Sequence, residues 1–125
     1  MARVLFVEDD DDFRENFAFE LRQAGLEVIE VRLAEDAVDV LERRDPDLLL
    51  LDICMPPGRM DGIELLASFR ENDRWRNLPV IVLSGFGNYI NLDITGRLGV
   101  RAVLTKGEVT ATEVSRWIEE TVRSS

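Results

Sequence analysis

Apolar residues fall along this chain in short continuous blocks separated by stretches with helical spacing. The blocks are Val4–Val7, Val28–Val31 (interrupted by Glu30), Leu48–Leu51, Val80–Leu83 and Ala102–Leu104. Most are apolar at successive rather than alternate positions. Strands of that kind are covered on both faces, as in a parallel sheet with helices on either side. Between the blocks, Phe13, Phe17, Leu21 and Ala24 share one helical face, and Gly25 follows as a stop. Residues 34–44 place Ala34, Ala37, Val38 and Leu41 on one side. Asp61 opens a capping-box-like start, after which Ile63, Leu66 and Phe69 trace a stripe. A weaker helix is predicted over residues 88–98, with Tyr89 or Ile90, Ile94 and Leu98 inward and Gly99 behind it. Thr110 and Glu113 form a second capping box, before Val114, Trp117, Ile118 and Val122. Pro79 suits the start of a strand, where a missing N–H costs little.

The element order is therefore βαβαβαβαβα. It predicts an α/β fold with a mainly parallel sheet and right-handed crossovers. With no repeat, low-complexity segment or linker, residues 1–125 are expected to form a single domain.

Composition narrows the function. Hydrophobic residues make up 46% of the 125, which favours a packed core over disorder. No apolar run approaches the ~20 residues of a membrane span, and MARVLFVEDD reads as neither signal peptide nor anchor. A net charge of −10 without a basic stripe argues against nucleic acid as a direct partner. Cys54 is the single cysteine, so no internal disulfide forms and a reducing cytoplasm is the default location. The thiol reads as a small buried side chain rather than a reactive group. Histidine is absent, which removes the commonest neutral metal ligand and general base. A bound metal would have to be held by oxygen, which favours a hard cation such as Mg2+.

In open parallel sheets ligands bind beyond the carboxyl ends of the strands, where strand order reverses. Glu8, Asp9 and Asp10 follow the first strand, Asp52 the third, Ser84 and Gly85 the fourth, and Thr105 and Lys106 the fifth. If the strands are neighbours, carboxylates, a hydroxyl and an ammonium converge on one edge. Clustered carboxylates repel unless something compensates them, and a divalent cation does so. A carboxylate beside such a cation can attack phosphorus, while a lysine and a hydroxyl hold the phosphoryl oxygens. Gly85 would leave room for the incoming group.

The segments VLFVEDDDDF, LLLLDICMPPGRMDGIEL, PVIVLSG and AVLTKG resemble the receiver domain of bacterial two-component response regulators. Each segment is weak alone, but together they span Arg3 to about Val122 in the family's order. The resemblance implies a doubly wound, flavodoxin-like (βα)5 fold with strand order 2-1-3-4-5. It implies a regulatory domain that catalyses only its own phosphorylation and dephosphorylation, taking a phosphoryl group from a sensor histidine kinase or phosphotransfer protein. An output domain or downstream protein would read the result. By resemblance Asp52 is the phosphoacceptor, and Lys106 and Ser84 hold the phosphoryl group. Glu8, Asp9, Asp52 and the backbone carbonyl of Cys54 are the Mg2+ ligands. The resemblance also allows a homodimer through the last two predicted helices and the last strand.

Three positions depart from the family pattern. Pro57-Gly58-Arg59 makes the loop between Pro56 and Met60 about two residues longer than usual. Gly107 stands where proline is usual after the lysine, so a trans Lys106–Gly107 bond is expected, because a cis bond without proline costs ~2.5–4 kcal/mol. Val103 replaces an aromatic residue that turns inward on activation. These departures motivate an alternative reading, a degenerate receiver that binds proteins independently of phosphate. A small phosphatase with an aspartyl-phosphate intermediate is disfavoured, since no segment is long enough for a cap. The bland readings are capping acids at Glu8–Asp12, a strand-stopping Asp52, a turn-forming Ser84 and a surface Lys106. Asp10 and Asp12 are assigned to capping and solvent, and Trp117 to the core.

Overall fold

The computed structural model describes residues 1–53, 62–85 and 96–124. Its elements in chain order are β1 (Arg3–Val7), α1 (Asp11–Gln23), β2 (Glu27–Val31), α2 (Ala34–Arg44), β3 (Leu48–Leu51), α3 (Gly62–Arg70), β4 (Val80–Ser84), β5 (Val100–Thr105) and α4 (Ala111–Ser124). The strands form one parallel sheet in the order β2-β1-β3-β4-β5. The helix predicted over residues 88–98 lies mostly outside the described residues, which contribute only a helical Gly96 and Arg97.

Side-chain alternation along each strand explains the continuous apolar runs. Val4, Phe6, Leu48, Leu50, Ile81 and Leu83 project to one face, against Phe17, Ala18 and Leu21 of α1 and Val114 and Ile118 of α4. Leu5, Val7, Leu49, Leu51, Val80 and Val82 project to the other, against Ala37 and Leu41 of α2 and Leu65, Leu66 and Phe69 of α3. Both parities of each central strand are therefore apolar, because each face has its own helical layer. Each fully buried leucine contributes about 1.5–3 kcal/mol of transfer free energy. β5 sits at the sheet edge and is less buried. It runs from Val100 to Thr105, longer than the apolar block Ala102–Leu104, since an edge strand tolerates polar Arg101 and Thr105.

Helix ends follow the local chemistry. The Asp10 side chain accepts from the Phe13 amide at 3.1 Å and caps α1. At its other end Gly25 adopts φ +99°, the Gly25 amide donates to the Arg22 carbonyl at 3.0 Å, and the Leu26 amide donates to the Leu21 carbonyl at 3.2 Å. This is a Schellman turn, whose left-handed residue favours glycine. The Thr110–Glu113 capping box closes in both directions, at 3.1 Å from the Glu113 amide to Thr110 Oγ1 and 3.0 Å from the Thr110 amide to Glu113 Oε1.

Two stripe expectations differ from the fold. In α1 the buried line is Arg14, Phe17, Ala18 and Leu21, with Phe13 half-buried and Ala24 exposed at the cap. In α4 the line is Ala111, Val114, Ser115, Ile118 and Thr121, so Trp117 falls beside it and is 43% exposed. Trp75, by contrast, is buried against the α2–α3 side of the sheet.

Candidate functional site

The connection from β1 runs outward to β2, and the later strands add on β1's other side. Strand order thus reverses between β1 and β3, where the carboxyl ends of Val7 and Leu51 lie side by side in register. The residues that follow β1, β3 and β5 are still held by a neighbouring strand. The Glu8 amide donates to the Val31 carbonyl at 3.0 Å, the Asp52 amide to the Val7 carbonyl at 3.0 Å, and the Lys106 amide to the Ser84 carbonyl at 2.9 Å. Those backbone bonds fix the first side chains beyond β1, β3 and β5 at one edge.

The side chains meet there. Glu8, Asp9 and Asp52 each offer a carboxylate oxygen, and the three oxygens lie within 4.8 Å of one another. Glu8 is fully buried, Asp52 is 4% exposed and Asp9 is half-buried. Lys106 Nζ is ion-paired with Glu8 Oε1 and donates to Asp52 Oδ2 at 3.3 Å. The Asp10 amide donates to Glu8 Oε2 at 3.1 Å. β5 lies two strands, roughly 10 Å, from β3, so a residue there needs a long stem to reach Asp52. The lysine ammonium also stands 4.5 Å from the centroid of the Phe13 ring, whose electron-rich face attracts it.

Charge is unbalanced in this cluster. Burial pushes the Glu8 carboxyl up to about 7, with the Asp52 charge adding to the rise and Lys106 and the Asp10 amide opposing it. For Lys106, burial pulls downward, but pairing with Glu8 and Asp52 outweighs it and holds the ammonium above its usual value. Three oxygen donors close together, two of them paired with one ammonium, in a site that raises a carboxyl toward neutrality, suit a hard divalent cation.

The remaining sequence-predicted positions are placed as follows. Ser84 ends β4, is fully buried, and pairs in register with Thr105. A Cβ added at Gly85 would meet no heavy atom within 4 Å, so that side is open. The Lys106–Gly107 bond is trans, and Gly107 adopts φ +83°, a conformation closed to proline, whose ring fixes φ near −65°. Val103 is half-buried against the α2–α3 side of the sheet. Cys54 and the loop from Pro56 to Met60 lie outside the described residues. A groove of about 650 Å³ beside Phe13 and Phe17 of α1 and the start of α4 contains none of the clustered carboxylates.

Sequence reasoning missed Phe13 as a partner of Lys106 and missed Arg14 altogether. Phe13 reads as one more apolar stripe residue. Arg14 did leave a signal, since it occupies the first place in the buried spacing Arg14, Phe17, Ala18, Leu21, where a charge is unexpected.

The fold and its acidic edge define a doubly wound α/β domain whose carboxylate cluster lies at the switch point of the sheet. The chain belongs to the response regulator receiver domain family, whose model matches residues 4–115. It is a regulatory domain of two-component signalling rather than a conventional enzyme. It is 36% identical over 103 residues to a 14.6 kDa protein of Leptolyngbya boryana, covering 82% of this chain and 77% of that one. It is 35% identical to the phosphate regulon transcriptional regulatory protein PhoB of Escherichia coli (strain K12), over 68% of this chain and 36% of PhoB. The chain thus spans about a third of that relative. The receiver domain of Francisella response regulator 1452 superposes with a TM-score of 0.85 at 22% identity, covering 99% and 98% of the two chains. A response regulator receiver domain protein from Clostridium thermocellum gives 0.85 at 24% identity over 99% and 96%. Among the described residues no helix is long and apolar enough to cross a membrane.

Proposed function

We propose that the chain accepts a phosphoryl group on Asp52 from the phosphohistidine of a sensor kinase or phosphotransfer protein, in a Mg2+-dependent reaction. The modified domain then presents a changed surface to an output domain or downstream protein. The observation that carries this reading is the Lys106 ammonium set against both Glu8 and Asp52, with Asp9 in the same cluster.

Glu8, Asp9 and Asp52 would hold the cation, with the Cys54 carbonyl as the further ligand the family resemblance implies. The bound cation supplies charge neutralisation, which lets one anion approach another. An Asp52 carboxylate oxygen forms a bond to phosphorus as the donor's P–N bond breaks. The electron pair leaves with the imidazole nitrogen, and an acyl phosphate remains on Asp52. Lys106, already 3.3 Å from Asp52 Oδ2, pairs with the phosphoryl oxygens as their charge spreads. Ser84, at the adjacent strand end, donates its hydroxyl to the same group. Burial of Asp52 keeps bulk water from competing, which favours transfer to the carboxylate over hydrolysis.

Incubation with acetyl phosphate and Mg2+ is expected to add one phosphate in intact-mass spectra, and Asp52→Asn to abolish it. An unmodified wild-type chain, or modification retained in Asp52→Asn, would overturn the proposal.

A further inference from the structure

Arg14 is an unusual residue for the inner face of a surface helix. Its side chain is 8% exposed, and its guanidinium reaches the β1–α1 connection, α1 and β2 at once. Nη1 donates to the Glu8 backbone carbonyl at 3.0 Å and to Asp11 Oδ1 at 2.8 Å, while Nε donates to Glu30 Oε1 at 3.3 Å. The first contact is to the peptide joining Glu8 to Asp9. The second is in the first turn of α1, and the third is on β2.

The β1–α1 connection is short, and it carries two of the three clustered carboxylates. From Glu8 to Asp10 the backbone is not in a helix or strand. Its torsions are therefore set by whatever grips it. The Glu8 amide is held from the β2 side by Val31, and the Glu8 carbonyl is held by Arg14. A guanidinium suits this task because its donors point in fixed directions within one plane. Glu30, which grips Arg14, is itself paired with Arg22 at 3.1 Å, and Asp11 is paired with Arg32 at 3.1 Å. The fork is thus braced at both carboxylates that accept its hydrogen bonds.

Building on the proposed Mg2+ site, we infer that Arg14 is a positioning residue. By clamping the Glu8–Asp9 peptide between α1 and β2, it presets the two carboxylates for the cation without touching cation or phosphoryl group. Groups that orient metal ligands from outside commonly change metal affinity 10- to 100-fold when removed.

The test is calorimetric titration of the purified chain with Mg2+ at fixed pH and salt, beside phosphorylation by acetyl phosphate across a Mg2+ series. Arg14→Met is expected to weaken Mg2+ binding about 10- to 100-fold. Its phosphorylation rate should recover toward the wild-type value at saturating Mg2+, because Asp52, Lys106 and Ser84 are untouched. Arg14→Lys keeps the charge but loses the fork, so it should rescue only part of the affinity. Glu30→Gln weakens the brace without removing the guanidinium, so it keeps the inference testable if Arg14→Met does not fold. It is expected to lower Mg2+ affinity about 10-fold, the lower end of that range. Wild-type affinity in Arg14→Met, or full rescue by Arg14→Lys, would overturn the inference while leaving the phosphoacceptor reading intact. If Arg14→Met is unfolded, unchanged affinity in Glu30→Gln overturns it. A wild-type chain that binds no Mg2+ would overturn both, and would be recognised as such before any variant was made.

Discussion

The two ends of the sheet handle charge in opposite ways. At the amino-terminal end, the Arg3 guanidinium pairs with Glu27 and donates to the Arg44 carbonyl at 2.7 Å, while Asp47 accepts from the Arg3 amide at 2.8 Å. Arg3 and Glu27 are open to solvent, and each is stabilised in its charged form. The hydrogen bond from Arg3 holds the Glu27 carboxyl below its usual range, and Glu27 in turn raises Arg3. At the carboxyl-terminal end, Glu8 and Asp52 are buried with Asp9 beside them, and burial drives Glu8 the other way, up to about 7. The same residue type is thus held charged at one end and pushed toward neutrality at the other. The first arrangement supports the fold. The second lowers stability, and such cost is expected where a site awaits a ligand.

The largest effect should come from removing the one ammonium that offsets the cluster. Lys106→Met leaves Glu8 and Asp52 buried without it. It is expected to cost about 3 kcal/mol in urea unfolding at pH 8, and less at pH 5, where Glu8 retains a proton. A cost equal at the two pH values would mean that lysine serves packing rather than charge.

Next comes the pH dependence of the wild-type chain without metal. Glu8 binds its proton more tightly when folded, with a value of about 7 against 4.5 for the free group. Its contribution is therefore full below about 4.5 and is lost as pH rises through about 7. That loss is on the order of 3 kcal/mol, and Glu8→Gln should flatten it. The Glu27 contribution has the opposite sign, because its folded value is depressed and its stabilisation disappears as pH falls. Unfolding free energies measured from about pH 2 to pH 8 in Glu8→Gln and Glu27→Gln should separate the two ends.

A smaller effect is expected from Mg2+. At tenfold above its dissociation constant, ligand linkage stabilises the chain by about 1.4 kcal/mol. The melting temperature of the wild type should rise accordingly, and Asp52→Asn should blunt the rise. The smallest effect is expected at the other end, where Arg3→Gln should barely move the urea midpoint and 0.5 M salt should erase the difference. Exposed pairs of this kind are strongly screened.

Much of this was legible from residue order. Leu48–Leu51 could be read as a central strand because both parities were apolar, and its two faces indeed meet different helices. The positions of Glu8, Asp52, Ser84 and Lys106 after four separate blocks placed them on one edge once the strand order was known. The pattern was less informative about side chains that reach across strands. Which carboxylate Lys106 would meet depends on stem length and on Phe13 beneath it, neither of which has a period. Trp117 looked like a stripe residue because spacing tolerates an error of one position, while burial does not. Arg14 was overlooked because its charge interrupted the very pattern being sought, although its partners lie on the β1–α1 connection, α1 and β2.

The contrast between the ends is tested most directly at the Glu8 carboxyl itself. A carbon-13 NMR titration of its side chain in the metal-free domain should show a midpoint of about 7, moving to lower pH when Mg2+ is added. A midpoint at the ordinary glutamate value that ignores Mg2+ would contradict the account.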